Sequence, residues 1–341
     1  MKKRVISSLL ITLIVMSFLL PSLATEPAEN IETPVQVGKA LGEPVKGGPV
    51  QDEPIQEEPV QEEPVQEEPV QEEPVQEEPE PSSFVLLDGV PQFVEYELRN
   101  GTTYVTVSSF AVMADPRAVV EEANGVVTVS SARVEQVVDA EGNATDVVRE
   151  TLSMTVSTQV PYIVANDRYL YAPDSITTVN GCVAIPIRKL AQVFNLDVTY
   201  DAEAGAALLT RVQGRGFYLS PGDSYYDADT LYWLSRVISV ESGHQILEGK
   251  IAVGNVVLNR VKSREFPNTL YEVLNQKNQF VSTSTLSKRT PNSESVIAAK
   301  LVMDGAEVLP TALFFNKKGL SSYASRNRTY VTTIDNHDFY S

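Results

Sequence analysis

The chain has 341 residues and 43% of them are hydrophobic, so it can hold two or three domains with buried cores. Its formal net charge is −18, but 13 acidic side chains fall within residues 51–80, which contain no lysine or arginine. Without that segment the net charge is −5. Because no basic stripe is present to neutralise phosphates, the sequence argues against nucleic acid as a partner.

The first residues are typical of an export signal. Lys2, Lys3 and Arg4 precede an apolar run at residues 5–20, and Ser22-Leu23-Ala24 has the small-x-small pattern of a cleavage site. We predict a signal peptide at residues 1–24. The alternative is an uncleaved anchor helix, because the run is long for a signal and short for a membrane span. In either case we expect a secreted or otherwise extracytoplasmic protein.

Residues 25–83 have the composition of a spacer. Four copies of Gln-Glu-Glu-Pro-Val lie between related pentads at 51–55 and 76–80. A proline at every fifth position forbids a regular helix and removes hydrogen-bond donors from a strand, and like charges repel along the chain. We predict a disordered acidic spacer. An acidic ligand for a basic partner or a cation is the alternative, and charge alone supports it.

Residues 84–212 contain alternating, β-branched runs that the turn dipeptides Asp88-Gly89, Asn100-Gly101 and Asn124-Gly125 separate. An internal repeat with an offset of about 80 residues is also present. Residues 100–107 lead into an apolar segment of helical spacing, residues 180–187 do the same, and each copy finishes with a hairpin-like tail. The predicted unit is turn, strand, short helix and hairpin.

This repeat resembles the stalk domain at the N-terminus of copper amine oxidases, which recurs in secreted bacterial proteins. The resemblance implies an α/β (α+β) domain of two half-repeats over residues 84–212. It also implies a spacing role or attachment to the cell envelope. It implies no copper, because the region contains no histidine. Residues 213–222, which contain glycine and proline, are predicted to be a linker.

From residue 223 the pattern becomes helical. Asp227, Asp229 or Thr230 can cap a helix that begins near Leu231, and Leu234, Val237 and Ile238 form one apolar stripe. Glu241 continues this stripe, and Gly243 is expected to stop the helix. A carboxyl group in an apolar face has a raised pKa and can donate a proton near neutral pH. The alternative is a glutamate that leans into solvent where the helix frays.

Three more helices are predicted, at residues 247–263, 269–274 and 292–304, the last with Asn292 as its cap. Small residues in the first of them, Ala252 and Gly254, permit the close approach of another helix. The tail at 312–340 alternates and contains several aromatic residues. It predicts short strands or loops around a cleft.

Several blocks of sequence follow one another through residues 237–340: Val-Ile-Ser-Val-Glu-Ser-Gly at 237–243, the helix at 248–263, Phe-Pro-Asn-Thr at 266–269, Asn-Gln-Phe at 278–280, Thr-Pro-Asn at 290–292, Ala-Leu-Phe-Phe-Asn at 312–316 and Asn-His-Asp-Phe-Tyr at 336–340. Together they resemble the cell wall hydrolases related to spore cortex-lytic enzymes. The resemblance covers the whole C-terminal module, residues 223–341.

The resemblance implies a mostly α, lysozyme-like catalytic domain. It further implies cleavage of peptidoglycan between N-acetylmuramic acid and N-acetylglucosamine by a lytic transglycosylase. It makes Glu241 the catalytic acid and places Gln279 and Phe280 on a strand-like block that lines the cleft. Asn316, Tyr323 and His337 are further substrate-binding candidates. The family commonly has Gly-Glu or Arg-Gly-Glu after the glutamate, whereas His-Gln follows Gly243 in this chain.

A single acid is sufficient for this chemistry. Glu241 protonates the glycosidic oxygen, and the muramic acid C6 hydroxyl then closes a 1,6-anhydro ring as the same carboxylate takes its proton. Glu248 and Glu265 remain open as partners in ordinary two-carboxylate hydrolysis. We expect no cofactor and no metal, because two histidines and one distant cysteine do not make a usual zinc site.

The sequence therefore predicts a multidomain, exported peptidoglycan hydrolase whose partner is the glycan strand, with cell-envelope attachment through the stalk-like domain. Spore cortex and vegetative wall both remain open as substrates, and so does the oligomeric state. The alternative function is a non-catalytic peptidoglycan-binding surface protein. Its support is the altered sequence after Glu241.

Overall fold

The structure is a computed structural model, and it describes residues 85–203 and 205–341. The predicted signal peptide and acidic spacer lie outside the described residues. In the described part of the chain, no helix is both long and apolar enough to cross a membrane.

The N-terminal part, residues 85–219, consists of strands with two short helices among its described residues. Its strands are β1 (Val85–Leu87), β2 (Val90–Gln92), β3 (Tyr96–Arg99), β4 (Thr102–Thr106), β5 (Val119–Ala123), β6 (Val126–Val138), β7 (Ala144–Ser157), β8 (Tyr162–Ala165), β9 (Arg168–Tyr171), β10 (Thr177–Val179), β11 (Cys182–Pro186), β12 (Leu196–Asp201) and β13 (Ala206–Arg211). Its helices are α1 (Val107–Ala114) and α2 (Ile187–Val193). Strand, helix and hairpin follow one another as β4-α1-β5-β6 and again as β11-α2-β12-β13, in the two segments where the sequence repeats.

The predicted turn dipeptides do form hairpin turns. Asp88-Gly89 joins β1 to β2, Asn100-Gly101 joins β3 to β4, and Asn124-Gly125 joins β5 to β6. Both residues of each dipeptide have positive φ, for example 53° and 73° at Asn124 and Gly125. Tight two-residue hairpins need this conformation, which asparagine, aspartate and glycine adopt at the lowest cost. The prediction of these turns is confirmed.

The strands of the N-terminal part form sheets of order β12-β13-β1-β2, β10-β11-β4-β3 and β5-β6-β7-β8-β9. The pairing of β1 with β13 is parallel, with Val85 opposite Ala207. The first and last strands of this part therefore lie side by side. The longest antiparallel ladder joins β6 to β7.

One hydrophobic core lies between these sheets and the two helices. Phe110 of α1 and Phe194, which follows α2, are both fully buried, and their ring centroids are 5.8 Å apart. Tyr218 and Leu219 are also buried in this core, although they belong to the segment predicted to be a linker. Their apolar surfaces explain this packing, since burial of one such side chain stabilises the fold by about 1.5–3 kcal/mol.

The C-terminal part combines helices with one sheet of order β14-β16-β15, so the described chain is α+β. Its helices are α3 (Gly222–Tyr225), α4 (Ala228–Ser242), α5 (Leu247–Lys262), α6 (Leu270–Leu274), α7 (Thr283–Leu286), α8 (Ser293–Met303) and α9 (Tyr323–Asn327). Its strands are β14 (Phe314–Lys317), β15 (Tyr330–Ile334) and β16 (His337–Tyr340). The predicted helices correspond to α4, α5, α6 and α8, and the caps include Asp227, whose side chain accepts from Thr230 N at 2.8 Å. The short helices α3, α7 and α9 were not predicted.

The core of the C-terminal part lies where α4, α5 and α8 meet. Leu234, Val237 and Ile238 of α4 are completely buried, as the apolar stripe predicts. A Cβ atom at Gly254 of α5 would lie 2.9 Å from Val302 of α8 and 3.0 Å from Ile238. The glycine therefore permits the close approach of the three helices, which confirms the prediction for this position.

The two parts contact each other through β9 and α8, and all described residues fall within one compact unit. Arg168 of β9 forms a buried ion pair with Asp304, the C-cap of α8, with Nε 3.0 Å from Oδ1. Tyr226 donates a hydrogen bond to the same carboxylate. Tyr162 and Tyr169 of the N-terminal part pack against the C-terminal core.

Candidate active site

Glu241 lies in the last turn of α4, one residue before the helix ends. Its side chain is half-buried, at the edge of the face that packs into the core. The backbone N–H of Val281 donates to its Oε1 over 3.4 Å. The structure therefore places this carboxyl group against the protein, rather than at a frayed end that leans into solvent.

The end of α4 is held by the start of α8. Asn292 caps α8 by accepting from Ser295 N at 2.8 Å, and its amide nitrogen donates to the carbonyl of Gly243 at 3.1 Å. Gly243 does end the helix, but its φ is −54°, not the positive angle of a typical glycine cap. A Cβ atom there would lie 2.3 Å from the carbonyl oxygen of Ser239, so lack of space explains the glycine.

Burial is the main influence on Glu241 and raises its pKa above the ordinary value. The N–H of Val281 and the charge of Arg260 oppose this effect without cancelling it. The position in the last turn also favours the protonated form, because the C-terminal end of a helix carries partial negative charge. Glu241 therefore has the property that a proton donor requires.

Gln279 and Phe280 precede Val281 in a turn between α6 and α7. The prediction of a strand-like block at these residues is wrong. Asn278 adopts a positive φ of 62° and the N–H of Gln279 bonds back to the carbonyl of Gln276 at 3.2 Å, which is the geometry of a turn. Gln279 is exposed, and Phe280 is half-buried.

His337 is connected to Phe280 through a third ring. The centroids of Phe280 and Phe315 are 6.3 Å apart, and those of Phe315 and His337 are 5.1 Å apart. The amide nitrogen of Gln245 lies 2.9 Å from Nδ1 of His337. Burial lowers the pKa of His337, so the ring is mainly neutral at neutral pH. The departure from the family pattern after Gly243 thus connects this glutamine to a candidate cleft residue.

Asn316 lies on β14, and Tyr323 is the first residue of α9. The Asn316 amide oxygen accepts from Ser322 Oγ at 2.5 Å, and its nitrogen donates to the carbonyl of Lys317 at 3.0 Å. The amide is therefore already engaged in holding the loop before α9. Tyr323 is 59% exposed, and its ring centroid is 6.4 Å from that of Phe314. A ring this exposed is free to stack on a sugar.

The sequence left Glu248 and Glu265 open as carboxylate partners of Glu241, but the structure gives each of them different surroundings. Glu265 pairs with Arg328 at 2.6 Å, and Glu248 is exposed in the first turn of α5. The charged side chain that acts on Glu241 is instead the cation Arg260. Across residues 85–203 and 205–341, no three His, Cys, Asp or Glu side chains come together in a way that could hold a metal ion.

Two residues near the site were not identified from the sequence. Arg260 of α5 is 3% exposed and lies among three phenylalanine rings. Gln245 is also buried, against His337. The sequence marks Gln245 only as part of the departure after Gly243 and does not mark Arg260, because the partners of both residues lie far along the chain.

A cavity of about 640 Å³ is present elsewhere in the molecule. Its lining includes Arg149, Asn166, Arg168 and Tyr218, and all its lining residues lie between positions 149 and 221. This space belongs to the N-terminal part and the segment that follows it, and not to the surroundings of Glu241.

Comparisons with known proteins point to the C-terminal part. Two solved structures are similar to the chain, each at 25% sequence identity and a TM-score of 0.32. One is the catalytic domain of the Bacillus cereus SleB protein, and the match covers 34% of this chain and 92% of that one. The other is the catalytic domain of the germination-specific lytic transglycosylase SleB from Bacillus anthracis, and the match covers 36% of this chain and 100% of that one. No curated protein matches the chain. Residues 244–340, which begin just after Glu241 and include the other five candidate residues, match the family model for cell wall hydrolases.

Proposed function

We propose that residues 223–341 form a catalytic domain that cleaves peptidoglycan glycan strands between N-acetylmuramic acid and N-acetylglucosamine. Glu241 is its general acid. The observation that carries this proposal is a half-buried carboxyl group with a raised pKa that packs against a segment matching the cell wall hydrolase family. The match begins after Glu241, so the role of this residue rests on its surroundings.

The proposed reaction is that of a lytic transglycosylase. Protonated Glu241 transfers its proton to the oxygen of the glycosidic bond, and that bond breaks as positive charge develops at C1 of the muramic acid. The C6 hydroxyl then bonds to C1 and loses its proton to the Glu241 carboxylate, which restores the acid. Because the attacking group belongs to the substrate, the scheme needs no second carboxylate, and the cation beside Glu241 is consistent with it.

The remaining candidates would bind the strand. Tyr323 and Phe280 offer ring faces for sugars, and Gln279 is an exposed amide that can bond to hydroxyl groups. His337 and Asn316 would support the cleft, since both already have partners within the protein.

The wider organisation belongs to the same proposal. A signal peptide at 1–24 would direct export, and the acidic segment at 25–83 would act as a spacer. A stalk-like domain at 84–212 and a linker at 213–222 would hold the catalytic domain at the cell wall. Germination and vegetative growth both involve peptidoglycan, and assays on spore cortex and vegetative sacculi would decide between these substrates.

The first prediction concerns Glu241→Gln in the purified full chain. We expect release of muropeptides from peptidoglycan to fall about 100- to 10,000-fold, because glutamine cannot donate the proton. Glu248→Gln is the matched control, because this exposed glutamate is not part of the site, and it should retain activity within about twofold of the unchanged chain. Undiminished release by Glu241→Gln would refute the assignment.

Mass analysis of the products separates the finer claims. Products with 1,6-anhydro ends support transglycosylation, whereas reducing ends would retain Glu241 as the acid but contradict that mechanism. If the unchanged chain binds peptidoglycan in a pull-down experiment but never lowers the turbidity of a wall suspension, the chain is a binding protein and the catalytic proposal is wrong.

A further inference from the structure

Arg260 is a buried cation with an incomplete set of partners. Its Nε donates to the carbonyl of Leu313 at 2.7 Å, and its side chain is nearly inaccessible to solvent. Among the described residues, its Nη1 is a buried atom without a hydrogen-bond partner. A buried charge that lacks partners is expensive, so its presence requires a physical reason.

Aromatic rings replace part of the water that Arg260 loses. The guanidinium carbon lies 4.8 Å from the centroid of Phe266, 4.8 Å from that of Phe280 and 5.3 Å from that of Phe314. These rings belong to the segment after α5, the turn before α7 and strand β14. Arg260 therefore joins three separate segments through cation–π contacts.

One of these segments leads directly to Glu241. Phe280 immediately precedes Val281, whose N–H donates to the carboxyl group. The charge of Arg260 also acts on Glu241, and that of Glu241 acts on Arg260. Burial lowers the pKa of Arg260 to about 10, and the charge of Glu241 opposes this shift. At neutral pH the guanidinium is still positively charged.

We propose that Arg260 is a positioning residue for the reaction of Glu241. It holds Phe280 and Val281 against the carboxyl group, and its charge balances the carboxylate that forms when Glu241 gives up its proton. This inference rests on the proposed function of Glu241. Arg260 acts through that side chain, and contact with the sugar is no part of its role.

The test compares Arg260→Met with Arg260→Lys in the full chain, on soluble glycan fragments over a range of pH. Methionine removes the charge, so the pKa of Glu241 should rise and the alkaline limb of kcat/KM should move up by about one pH unit. The value of kcat at the optimum should fall about 100-fold, since nothing balances the new carboxylate. Lysine keeps the charge, so the limb should stay within about 0.3 of its original pH, while weaker stacking lowers kcat about tenfold.

Arg236→Met is the matched control. Arg236 lies on α4, and its guanidinium carbon is 3.5 Å from the ring centroid of Tyr232. The variant therefore removes the same charge and a similar ring contact on the helix that carries Glu241. Its alkaline limb should not move. An Arg260→Met variant that folds but keeps the original limb would overturn the proposal, and so would equal displacements in Arg260→Met and Arg260→Lys.

Circular dichroism and thermal unfolding show whether each variant folds. If Arg260→Met does not fold, Arg260→Gln takes its place with the same expected displacement. If neither neutral variant folds, Arg260→Lys decides, because a displacement of about one pH unit with the charge retained contradicts the proposal. Full activity of Glu241→Gln would remove the proposed function itself. An inactive Glu241→Gln together with an unmoved limb in Arg260→Met removes only the role of Arg260.

Discussion

At the scale of single residues, Glu241 shows how a site can reduce the stability of the fold that holds it. Burial raises its pKa, so the folded chain binds the proton more tightly than the unfolded chain does. Folding is therefore less favourable at any pH where the unfolded carboxyl group is ionised. A carboxyl group whose pKa is raised by burial thus makes the fold less stable near neutral pH.

We therefore expect Glu241→Gln to raise the free energy of unfolding at pH 7. The pKa of Glu241 in the folded chain lies above the unfolded value of about 4.3. The loss of stability therefore develops as the pH rises from the unfolded pKa to the folded pKa, and it persists at every higher pH. Glutamine has no such penalty, and the gain should vanish near pH 3.5. Urea midpoints at both pH values measure it. Glu248→Gln should change the midpoint little, and an equal gain for Glu241→Gln at both values would contradict this explanation.

The sequence was sufficient to place Glu241 but not its neighbours. The spacing from Leu234 and Val237 puts the carboxyl group at the end of a buried face, which is what the structure contains. In the sequence pattern, Arg260 is simply a polar residue near the end of an amphipathic helix. Its environment depends on rings at 266, 280 and 314, which only the folded chain brings together.

At the scale of secondary structure elements, the sequence correctly predicted the helices whose starts are determined by neighbouring residues in the chain. Helices α4, α6 and α8 begin at side chains that cap them, and each cap stabilises its helix by about 1 kcal/mol. The sequence did not predict the ladder of β6 with β7, and it wrongly predicted a strand-like block where Gln279 lies in a turn. Pairing and packing between distant segments determine both features. Helices of four or five residues, such as α7, are too short for a periodic pattern to appear.

Two glycines with similar backbone angles should respond differently to alanine. Gly101 (φ 77°) has open space where a Cβ would lie, whereas a Cβ at Gly125 (φ 73°) would lie 2.6 Å from Thr158 Oγ1. We expect Gly101→Ala to lower the free energy of unfolding by about 1 kcal/mol, through backbone strain alone. Gly125→Ala should lower it by about 2–3 kcal/mol, because a steric clash adds to the strain. Urea unfolding measures both, and equal losses would show that Thr158 moves away freely.

At the scale of the whole molecule, the sequence led us to expect separate domains joined by a linker. The boundary itself stays a prediction, but the contact across it could not have been predicted. Arg168 and Asp304 are 136 residues apart, and their side chains are only 7% and 0% exposed. An ion pair this deeply buried stabilises little by itself, but it leaves an uncompensated charge when one partner is removed.

Asp304→Asn should therefore lower the free energy of unfolding by about 3–5 kcal/mol. Asp167→Asn is the matched control, because Asp167 pairs with Lys300 of the same helix at 2.6 Å but is 61% exposed, and it should lower stability by about 1 kcal/mol or less. Asparagine also tolerates the positive φ of 61° at position 167. Thermal unfolding of the full chain measures both, and similar losses would mean that the buried Arg168–Asp304 pair matters no more for stability than the exposed Asp167–Lys300 pair.

Helix α8 connects the contact with the N-terminal part to the end of α4. Its C-cap, Asp304, is anchored to a strand of the N-terminal part, and its N-cap, Asn292, holds the carbonyl of Gly243 beside the turn that carries Glu241. An excised segment of residues 223–341 would keep α8 but lose the contact of its C-terminal end with β9. A fragment of residues 223–341 would thus hold Glu241 on a less firmly anchored helix pair than the full chain does, and its activity would understate that of the whole molecule.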